Sequence, residues 1–285
     1  MQQIERKTVS VRGVDLAYAD GGEGPAVVYL HGALTTLEEG LIGLYPTLSP
    51  RFRMLAFDRP GHGASSSDAA TGSAWRQAAL LHDALKQLGV ERPVLVGHSF
   101  GGAVALAYAL QFPRALAGVV AIAPIAFPEP RLEQVLFGFR AIPGAGDLLS
   151  LMSIPADEVI LPLLWGGMFL PQPVPDAFKA NFPFATAARR IQLRADGEEA
   201  SLMVSGLMAS AAAYWASSVP VTVMAGDQDK VINPALHGRL LAQMLPRGRF
   251  VSLPGLGHMA HHFVPGQVAD AIAELHKAES LKQAA

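Results

Sequence analysis

Residues 94–102 read VLVGHSFGG, and this stretch decides the fold. The apolar run Val94–Val96 favours a buried strand. The small, helix-favouring residues 103–110 (AVALAYAL) predict a helix that begins just after Ser99. Between them Gly97–Gly101 has the pattern G-x-S-x-G, which is typical of a serine on a sharp strand-to-helix turn. Because glycine has no Cβ, strand and helix can approach closely there, and the helix N-terminus offers backbone N–H groups that can stabilise an oxyanion.

Length and composition indicate one large α/β domain, or a core domain that carries an inserted subdomain. The chain has 285 residues, of which 51% are hydrophobic and 16% charged, and its formal net charge is -2. This charge favours neither nucleic acid nor an anionic membrane surface as a partner. The sequence has 0 cysteines, which excludes a disulfide framework and thiolate metal sites.

No segment of the sequence predicts a membrane span. Residues 1–7 are polar, without the apolar region of a signal peptide. The most apolar stretch, Val159–Leu170, is about 12 residues long and is interrupted by Pro162 and two glycines, so it is too short to cross a bilayer. We therefore expect no integral membrane segment and a cytoplasmic location.

Short apolar segments predict a mostly parallel, eight-stranded sheet that is flanked by helices. Near-continuous apolar runs alternate with helical segments, which is the pattern of strands buried on both faces. Gly13 is expected to form a hairpin turn between the first two strands. The predicted strands cover residues 8–11, 14–18, 26–30, 53–57, 94–96, 117–123, 219–225 and 249–253.

The alternation of strands and helices breaks after Pro124. Prolines and glycines separate short apolar pieces there, and a structureless loop of that length would be improbable in a compact domain. We predict a helical cap at 125–200, inserted after the sixth strand, with 1–124 and 201–285 forming the core. The predicted helices outside the cap, besides the one after Ser99, cover residues 36–48, 73–88, 198–215, 234–245 and 267–281.

Three candidate catalytic residues each follow the carboxyl end of a predicted strand. Ser99 follows the fifth strand, Asp229 the seventh and His258 the eighth. In open parallel sheets, ligands bind at that edge. The chain order Ser, Asp, His is that of α/β-hydrolase triads, in which the histidine takes the serine proton and the acid orients the histidine.

Two of these positions have rivals nearby in the sequence. Asp227 competes with Asp229, but the G-x-x-D spacing from Gly226 favours Asp229 and leaves Asp227 to orient the loop. His261 and His262 compete with His258, which is favoured because it follows a glycine directly after a strand exit. A metal site made of these three histidines is not predicted, because no carboxylate cluster matches them.

Five segments together resemble the α/β-hydrolase superfamily, in its cap-bearing subgroup of esterases, haloperoxidase-like perhydrolases and C–C bond hydrolases. They lie between residues 26 and 262 and are His31–Ala33, Asp58–Gly63, Gly97–Gly102, Gly226–Asp229 and Gly257–His258. The resemblance implies an oxyanion hole made by the backbone N–H groups of Ala33 and Phe100, and it requires no metal or organic cofactor. His31, His62 and His98 are motif positions that we expect to shape loops by local hydrogen bonds.

The residues at the motif positions separate branches of this superfamily. Haloalkane dehalogenases and epoxide hydrolases of this fold have an aspartate nucleophile, so Ser99 argues against both. Meta-cleavage C–C hydrolases usually carry a longer glycine-rich oxyanion loop and a tryptophan after the catalytic histidine. This sequence has Ala33, Leu34 and Met259 at those places, which makes that reaction less favoured.

The sequence therefore predicts a serine hydrolase that cleaves a carboxylic ester of a hydrophobic small molecule. The alternatives with the same triad are a C–C bond, lactone or amide hydrolase and a cofactor-free perhydrolase; a non-catalytic binding protein is a further alternative. Arg189 and Arg190 could receive a substrate carboxylate, although a solvated face is favoured. The apolar substrate is suggested by residues of the cap, namely Phe127, Phe137, Phe139, Trp165, Met168, Phe169, Phe178, Phe182 and Phe184.

Overall fold

Eight strands form a single sheet in the order β1-β2-β4-β3-β5-β6-β7-β8. The computed structural model of the chain describes residues 4–67 and 72–283. The strands are β1 Glu5–Val11, β2 Val14–Gly21, β3 Ala26–Leu30, β4 Arg53–Phe57, β5 Val94–His98, β6 Gly118–Ile122, β7 Val221–Gly226 and β8 Gly248–Leu253.

The sheet is parallel from β4 to β8, whereas β1 pairs with β2, and β2 with β4, in antiparallel fashion. Every residue of β5, β6 and β7 is buried. Helices cover both faces, which explains why these strands read as continuous apolar runs rather than alternating ones. The predicted α/β-hydrolase fold with eight strands is confirmed.

In the described residues before β6 and after β7 there are six α-helices. The helix predicted over 36–48 is in fact two short helices that meet at Leu44, because Pro46 in the first turn of the second cannot donate a backbone hydrogen bond to continue the first. The helix predicted over 234–245 opens with a wide π-helical segment, Pro234–Leu240. The six are α1 Glu38–Gly43, α2 Tyr45–Leu48, α3 Ala74–Gln87, α4 Phe100–Gln111, α11 Leu241–Met244 and α12 Pro265–Gln283.

The chain between β6 and β7 is helical, as predicted. The predicted start of one helix is wrong. The helix predicted over 198–215 begins at Arg190, so Gly197 lies inside it. A Cβ on Gly197 would lie 2.4 Å from the carbonyl oxygen of Phe137, so this glycine serves close helix packing rather than a break. The helices are α5 Leu132–Phe137, α6 Gly146–Met152, α7 Ile154–Met168, α8 Asp176–Asn181, α9 Phe184–Ala187 and α10 Arg190–Ala213, with 3₁₀ segments at Gly138–Ala141 and Tyr214–Ala216.

The hydrophobic core has one cluster on each face of the sheet and a third cluster in the helical segment. The third cluster is rich in aromatic side chains, such as Trp165 and Phe178. It includes Leu34, which follows β3, and Met259, which follows β8. The helical segment therefore packs directly on two loops at the carboxyl edge of the sheet.

Within the described residues, no single helix combines the length and apolarity needed to cross a membrane. The α6–α7 pair satisfies that test jointly, by length and composition alone, and is bent by 76°.

The close contact between α4 and β3 gives a stability prediction. A Cβ on Gly101 would lie 2.2 Å from the Leu30 carbonyl oxygen, so Gly101→Ala should destabilise the fold by about 1–3 kcal/mol. Gly166, in α7, has nothing within 4 Å of its Cβ position. Gly166→Ala should therefore stabilise the fold by up to ~1 kcal/mol, because alanine is the better helix former. Urea unfolding of both variants measures the difference, and effects of the same sign would contradict the prediction.

Candidate active site

Ser99 lies at the turn between β5 and α4. Its backbone has φ +52° and ψ -116°, a strained conformation that persists only when the surroundings impose it. The surroundings are close, since a Cβ on Gly97 would lie 2.3 Å from the Gly101 carbonyl oxygen. The Ser99 N–H also donates to the Ile122 carbonyl oxygen of β6 at 3.0 Å. The serine is therefore held at the carboxyl edge of the sheet by packing and by the neighbouring strand.

His258 and Asp229 form a buried pair beyond β8 and β7. His258 Nδ1 lies 2.8 Å from Asp229 Oδ2, and Asp229 Oδ1 accepts hydrogen bonds from the N–H groups of Val231 and Ile232 at 2.8 and 2.9 Å. Burial raises the pKa of the Asp229 carboxyl, but His258 and the two N–H donors outweigh burial, so the pKa lies below its ordinary value. A neutral His258 that donates from Nδ1 has an unprotonated Nε2, which can accept a proton.

The structure brings Ser99, Asp229 and His258 to the wall of one cavity. No hydrogen bond joins the Ser99 side chain to His258 in residues 4–67 and 72–283. Hydrogen bonds between a nucleophile and its base are often long before substrate binds. The three side chains are thus gathered at one edge, with the acid and the histidine already paired.

The predicted oxyanion donors lie on either side of Ser99. Phe100 is the first residue of α4. Ala33 lies in the turn after β3, next to Gly32, whose Cβ would be 3.2 Å from Ser99 Cβ. For the described part of the chain, neither the Ala33 nor the Phe100 N–H donates to a protein acceptor. Both N–H groups are therefore free to meet a negative charge.

The rival acid Asp227 and the motif histidines His31 and His62 have contacts of other kinds. Asp227 accepts a hydrogen bond from the Gly255 N–H at 2.8 Å, so it orients the loop that follows β8. His31 Nε2 accepts from the Arg59 N–H at 3.0 Å, a local bond of the expected kind. His62 goes beyond that expectation, because it reaches across to Asp196 of α10.

Behind His258 lies a buried acid, Glu39, to which sequence analysis gave no role. One Glu39 oxygen accepts from the Tyr29 hydroxyl at 2.5 Å and lies 2.7 Å from His98 Nδ1. The other nitrogen of His98 is 3.2 Å from the carbonyl oxygen of His258. This chain of contacts braces the His258 backbone. No sequence signal marks this role, because Glu39 lies two positions from Leu37 and so falls on another face of the predicted helix.

The pKa values of Glu39 and its neighbour His261 are both shifted by their surroundings. Burial raises the pKa of Glu39, but His98 and His261 outweigh it, so the Glu39 pKa lies well below its ordinary value. Burial lowers the pKa of His261 to about 4. A buried carboxylate is tolerated only where partners compensate for its lost hydration. Glu39 is therefore a carboxylate, and its negative charge is stabilised by the side chains that contact it.

Among residues 4–67 and 72–283, two groups of side chains have the composition of metal ligands. They are Glu39, His98 and His261, and His62, Asp196 and Glu199. In the first group both carboxylate oxygens already accept hydrogen bonds, from Tyr29 and Thr35. In the second group a guanidinium, that of Arg59, is paired with Glu199. These partners already bind carboxylate oxygens of both groups, so the contacts favour hydrogen-bonded polar clusters over metal centres.

The cavity at the site has a volume of about 780 Å³. Apolar side chains from α5 and α7 line much of it, whereas charged groups of Glu129, Arg131 and Lys230 line another part. Of the aromatic and methionine residues singled out in the sequence, Phe137 and Met168 line this wall. Most of the others pack on one another in the third core cluster: Trp165, Phe169, Phe178, Phe182 and Phe184.

Comparison with known proteins agrees with this geometry. The model of the alpha/beta hydrolase fold family matches residues 25–265. An uncharacterised protein of Mycobacterium tuberculosis (strain ATCC 25618 / H37Rv) is 27% identical over 280 residues, covering 92% of this chain and 78% of that protein.

Two solved structures show the same architecture. A thermophilic esterase from Thermogutta terrifontis has a TM-score of 0.67 and 23% identity, over 97% of this chain and 99% of that one. Haloalkane dehalogenase DbeA from Bradyrhizobium elkani USDA94 has a TM-score of 0.73 and 25% identity, over 97% and 100%. The esterase likeness shows the shared fold, and the family together with the dehalogenase likeness supports a hydrolase. With the family model covering most of its length and the sheet order described above, the chain belongs to the alpha/beta hydrolase fold family.

Proposed function

We propose that this protein is a serine hydrolase that cleaves carboxylic esters of hydrophobic small molecules. The observation that carries the proposal is the meeting of Ser99 and His258 at one cavity, with Asp229 bonded to His258 from behind at 2.8 Å. A hydroxyl, an imidazole and a carboxylate in that sequence are the groups that nucleophilic acyl transfer requires.

In the proposed mechanism, Ser99 Oγ attacks the ester carbonyl carbon while His258 Nε2 takes the hydroxyl proton. Asp229 holds the tautomer and stabilises the imidazolium that forms. The tetrahedral intermediate collapses when its C–O bond breaks and His258 gives the proton to the leaving alcohol. Water then attacks the acyl-enzyme with His258 as base, and the carboxylic acid and free Ser99 are released.

The oxyanion of both tetrahedral intermediates would be stabilised by the N–H groups of Ala33 and Phe100. Both groups flank Ser99 and have no acceptor among the described residues. Such donors are effective because they are already oriented when negative charge develops on the substrate oxygen.

The substrate class follows from the cavity. Leu132, Leu136 and Leu163 line it together with Phe137, so an apolar acyl or aryl group gains free energy by leaving water there. Because these residues come from α5 and α7, we propose that residues 125–200 act as a cap over a core of 1–124 and 201–285. The likeness to a dehalogenase does not extend to its reaction, since residue 99 is serine and not aspartate.

The nucleophile is tested by Ser99→Ala. Hydrolysis of a p-nitrophenyl ester should fall by at least about 10⁴-fold, because the residual rate then comes from binding and the oxyanion donors alone. Labelling by a fluorophosphonate probe should disappear in the same variant. Ser205→Ala, at an exposed position of α10, is the control and should keep both signals. Full turnover by Ser99→Ala would reject the proposed function.

The acid is tested by the pH dependence of stability. Since the folded-state pKa of Asp229 is lowered, its contribution to stability is present above the unfolded pKa of about 3.9 and is lost as pH falls through the folded value. Asp229→Asn should therefore lower the unfolding free energy at pH 7 by about 1–3 kcal/mol and flatten its decline in acid. The control Asp227→Asn changes an exposed carboxylate and should preserve the decline. Equal acid profiles for Asp229→Asn and wild type would contradict this reasoning.

The substrate class is tested with a series of p-nitrophenyl esters. Each methylene buried in the apolar wall should raise kcat/KM by about fourfold until the cavity is filled, since burial of one CH₂ contributes about 0.8 kcal/mol. An acyl chain of matched length that ends in a carboxylate is the control and should react more slowly. A preference for the charged ester would show that the Arg131 and Lys230 part of the cavity governs recognition instead.

A further inference from the structure

The turn that carries Ala33 is bonded to the helical segment on both sides of one residue, Leu34. The Leu34 N–H donates to Asp196 Oδ1 of α10 at 3.0 Å. The Leu34 carbonyl oxygen accepts from Trp165 Nε1 of α7 at 2.9 Å. Leu34 has φ +59°, which is uncommon for a leucine and requires support from its surroundings. The two hydrogen bonds supply that support.

Asp196 is itself held by a charged partner from the core. His62 Nε2 lies 3.1 Å from the same Asp196 oxygen, and His62 Nδ1 lies 3.0 Å from the Pro60 carbonyl oxygen. Both of these neighbours are acceptors, so each ring nitrogen must carry a proton for both bonds to form. A third neighbour, Arg59 Nη2, is a donor and lies 3.4 Å from Nε2. The imidazolium is the form of His62 that donates to both acceptors, and its side chain and that of Asp196 are buried.

A second buried pair completes the charge balance. Arg59 is paired with Glu199, one helical turn beyond Asp196, and also donates to the carbonyl oxygens of His31 and Gly32 at 2.8 and 2.9 Å. Two cations and two anions thus join α10 to the loops after β3 and β4. Without that balance the burial of such charges would be strongly unfavourable.

This network is close to the candidate oxyanion donors. Asp196 and Glu199 line a small cavity of about 10 Å³ together with Ala33, Leu34 and Phe100. The Leu34 N–H lies in the Ala33–Leu34 peptide plane, whereas the Ala33 N–H lies in the Gly32–Ala33 plane, whose Gly32 oxygen accepts from Arg59. Because the two planes meet at the Ala33 Cα, the hydrogen bonds to Asp196 and Arg59 together restrict rotation of the Ala33 backbone.

We propose that Asp196 is a positioning residue for the oxyanion hole: by holding the Leu34 peptide it keeps the Ala33 N–H directed at the reacting carbonyl. The inference rests on the proposed function of Ser99. It adds that a residue of α10, in the helical segment, supports the loop that carries an oxyanion donor.

The test compares Asp196→Ala, Asp196→Asn and Trp165→Phe with the control Asp176→Asn, an exposed carboxylate on α8. Asp196→Ala removes the acceptor, and kcat should fall by about 10- to 100-fold with KM unchanged, the scale of a small misplacement of a catalytic group. Affinity for a boronic acid that forms a tetrahedral adduct on Ser99 should fall by the same factor. Asp196→Asn keeps an oxygen that accepts from Leu34 and should recover most of kcat.

Hydrogen exchange gives a readout that does not depend on activity. The amides of residues 32–37 should exchange faster in Asp196→Ala, and to a smaller degree in Trp165→Phe, while β5 and β6 stay protected as in wild type. If exchange rises but the wild-type protein is neither labelled by a fluorophosphonate nor active on esters, the proposed function fails and the loop anchoring stands.

A pH profile separates positioning from general support. Burial and Arg59 lower the pKa of His62, but the carboxylates of Glu199 and Asp196 outweigh them, so it lies above its ordinary value; the His31 ring, 5.2 Å away, also faces it. A neutral His62 can donate to only one of Asp196 and the Pro60 carbonyl oxygen, so kcat should decline as pH rises through the raised pKa of His62. In Asp196→Asn that decline should shift to lower pH, because one stabilising anion is gone.

The positioning role is overturned if folded Asp196→Ala keeps wild-type kcat and boronic acid affinity. It is equally overturned if Asp196→Asn is as impaired as Asp196→Ala with an unshifted alkaline profile, since Asp196 would then support the fold without orienting the loop. If Asp196→Ala does not fold, two other measurements decide between positioning and support of the fold alone. They are the pH profile of kcat in Asp196→Asn and the kcat of Trp165→Phe.

Discussion

The close approach of α4 to β5 and β3 is the constraint on which the rest of the structure depends. Gly97 and Gly101 leave no room for a Cβ, and their absence of side chains lets the helix begin immediately above the strand ends. The chain changes direction sharply at Ser99, whose φ of +52° is a strained backbone conformation. Because the strain is confined to one residue, the serine side chain has a definite position beside the cavity.

A second constraint comes from the buried charges around that position. Glu39 with His98 braces the loop of His258 from below the site, and Asp196 with His62 braces the loop of Ala33 from the side of α10. Charges this deeply buried are tolerated only in paired, hydrogen-bonded arrangements. Such arrangements have few alternative geometries, so they fix loops that apolar packing alone would leave less well defined.

The positions of the strands, and of the loops that follow them, were predictable because they depend on local pattern. A period-two alternation marked the first two strands and apolar runs marked most of the others, and the residues of interest in each loop stood shortly after a strand. The helix boundaries were less predictable. Pro46 divides one predicted helix, and Gly197 lies inside another that was predicted to start later, because contact with Phe137 favours a glycine there.

The sequence by itself determined the class of fold, the sheet and the identity of Ser99, Asp229 and His258 as candidates, since motif spacing and apolar periodicity are local properties that survive without knowledge of neighbours. Only the tertiary structure decided that Glu39 supports His258 and that Asp196 reaches Leu34, a residue 162 positions away. The physical reason is that the effect of a buried charge depends on the groups that contact it. Those partners are brought together by the crossing of helices over the sheet edge, which no local pattern encodes.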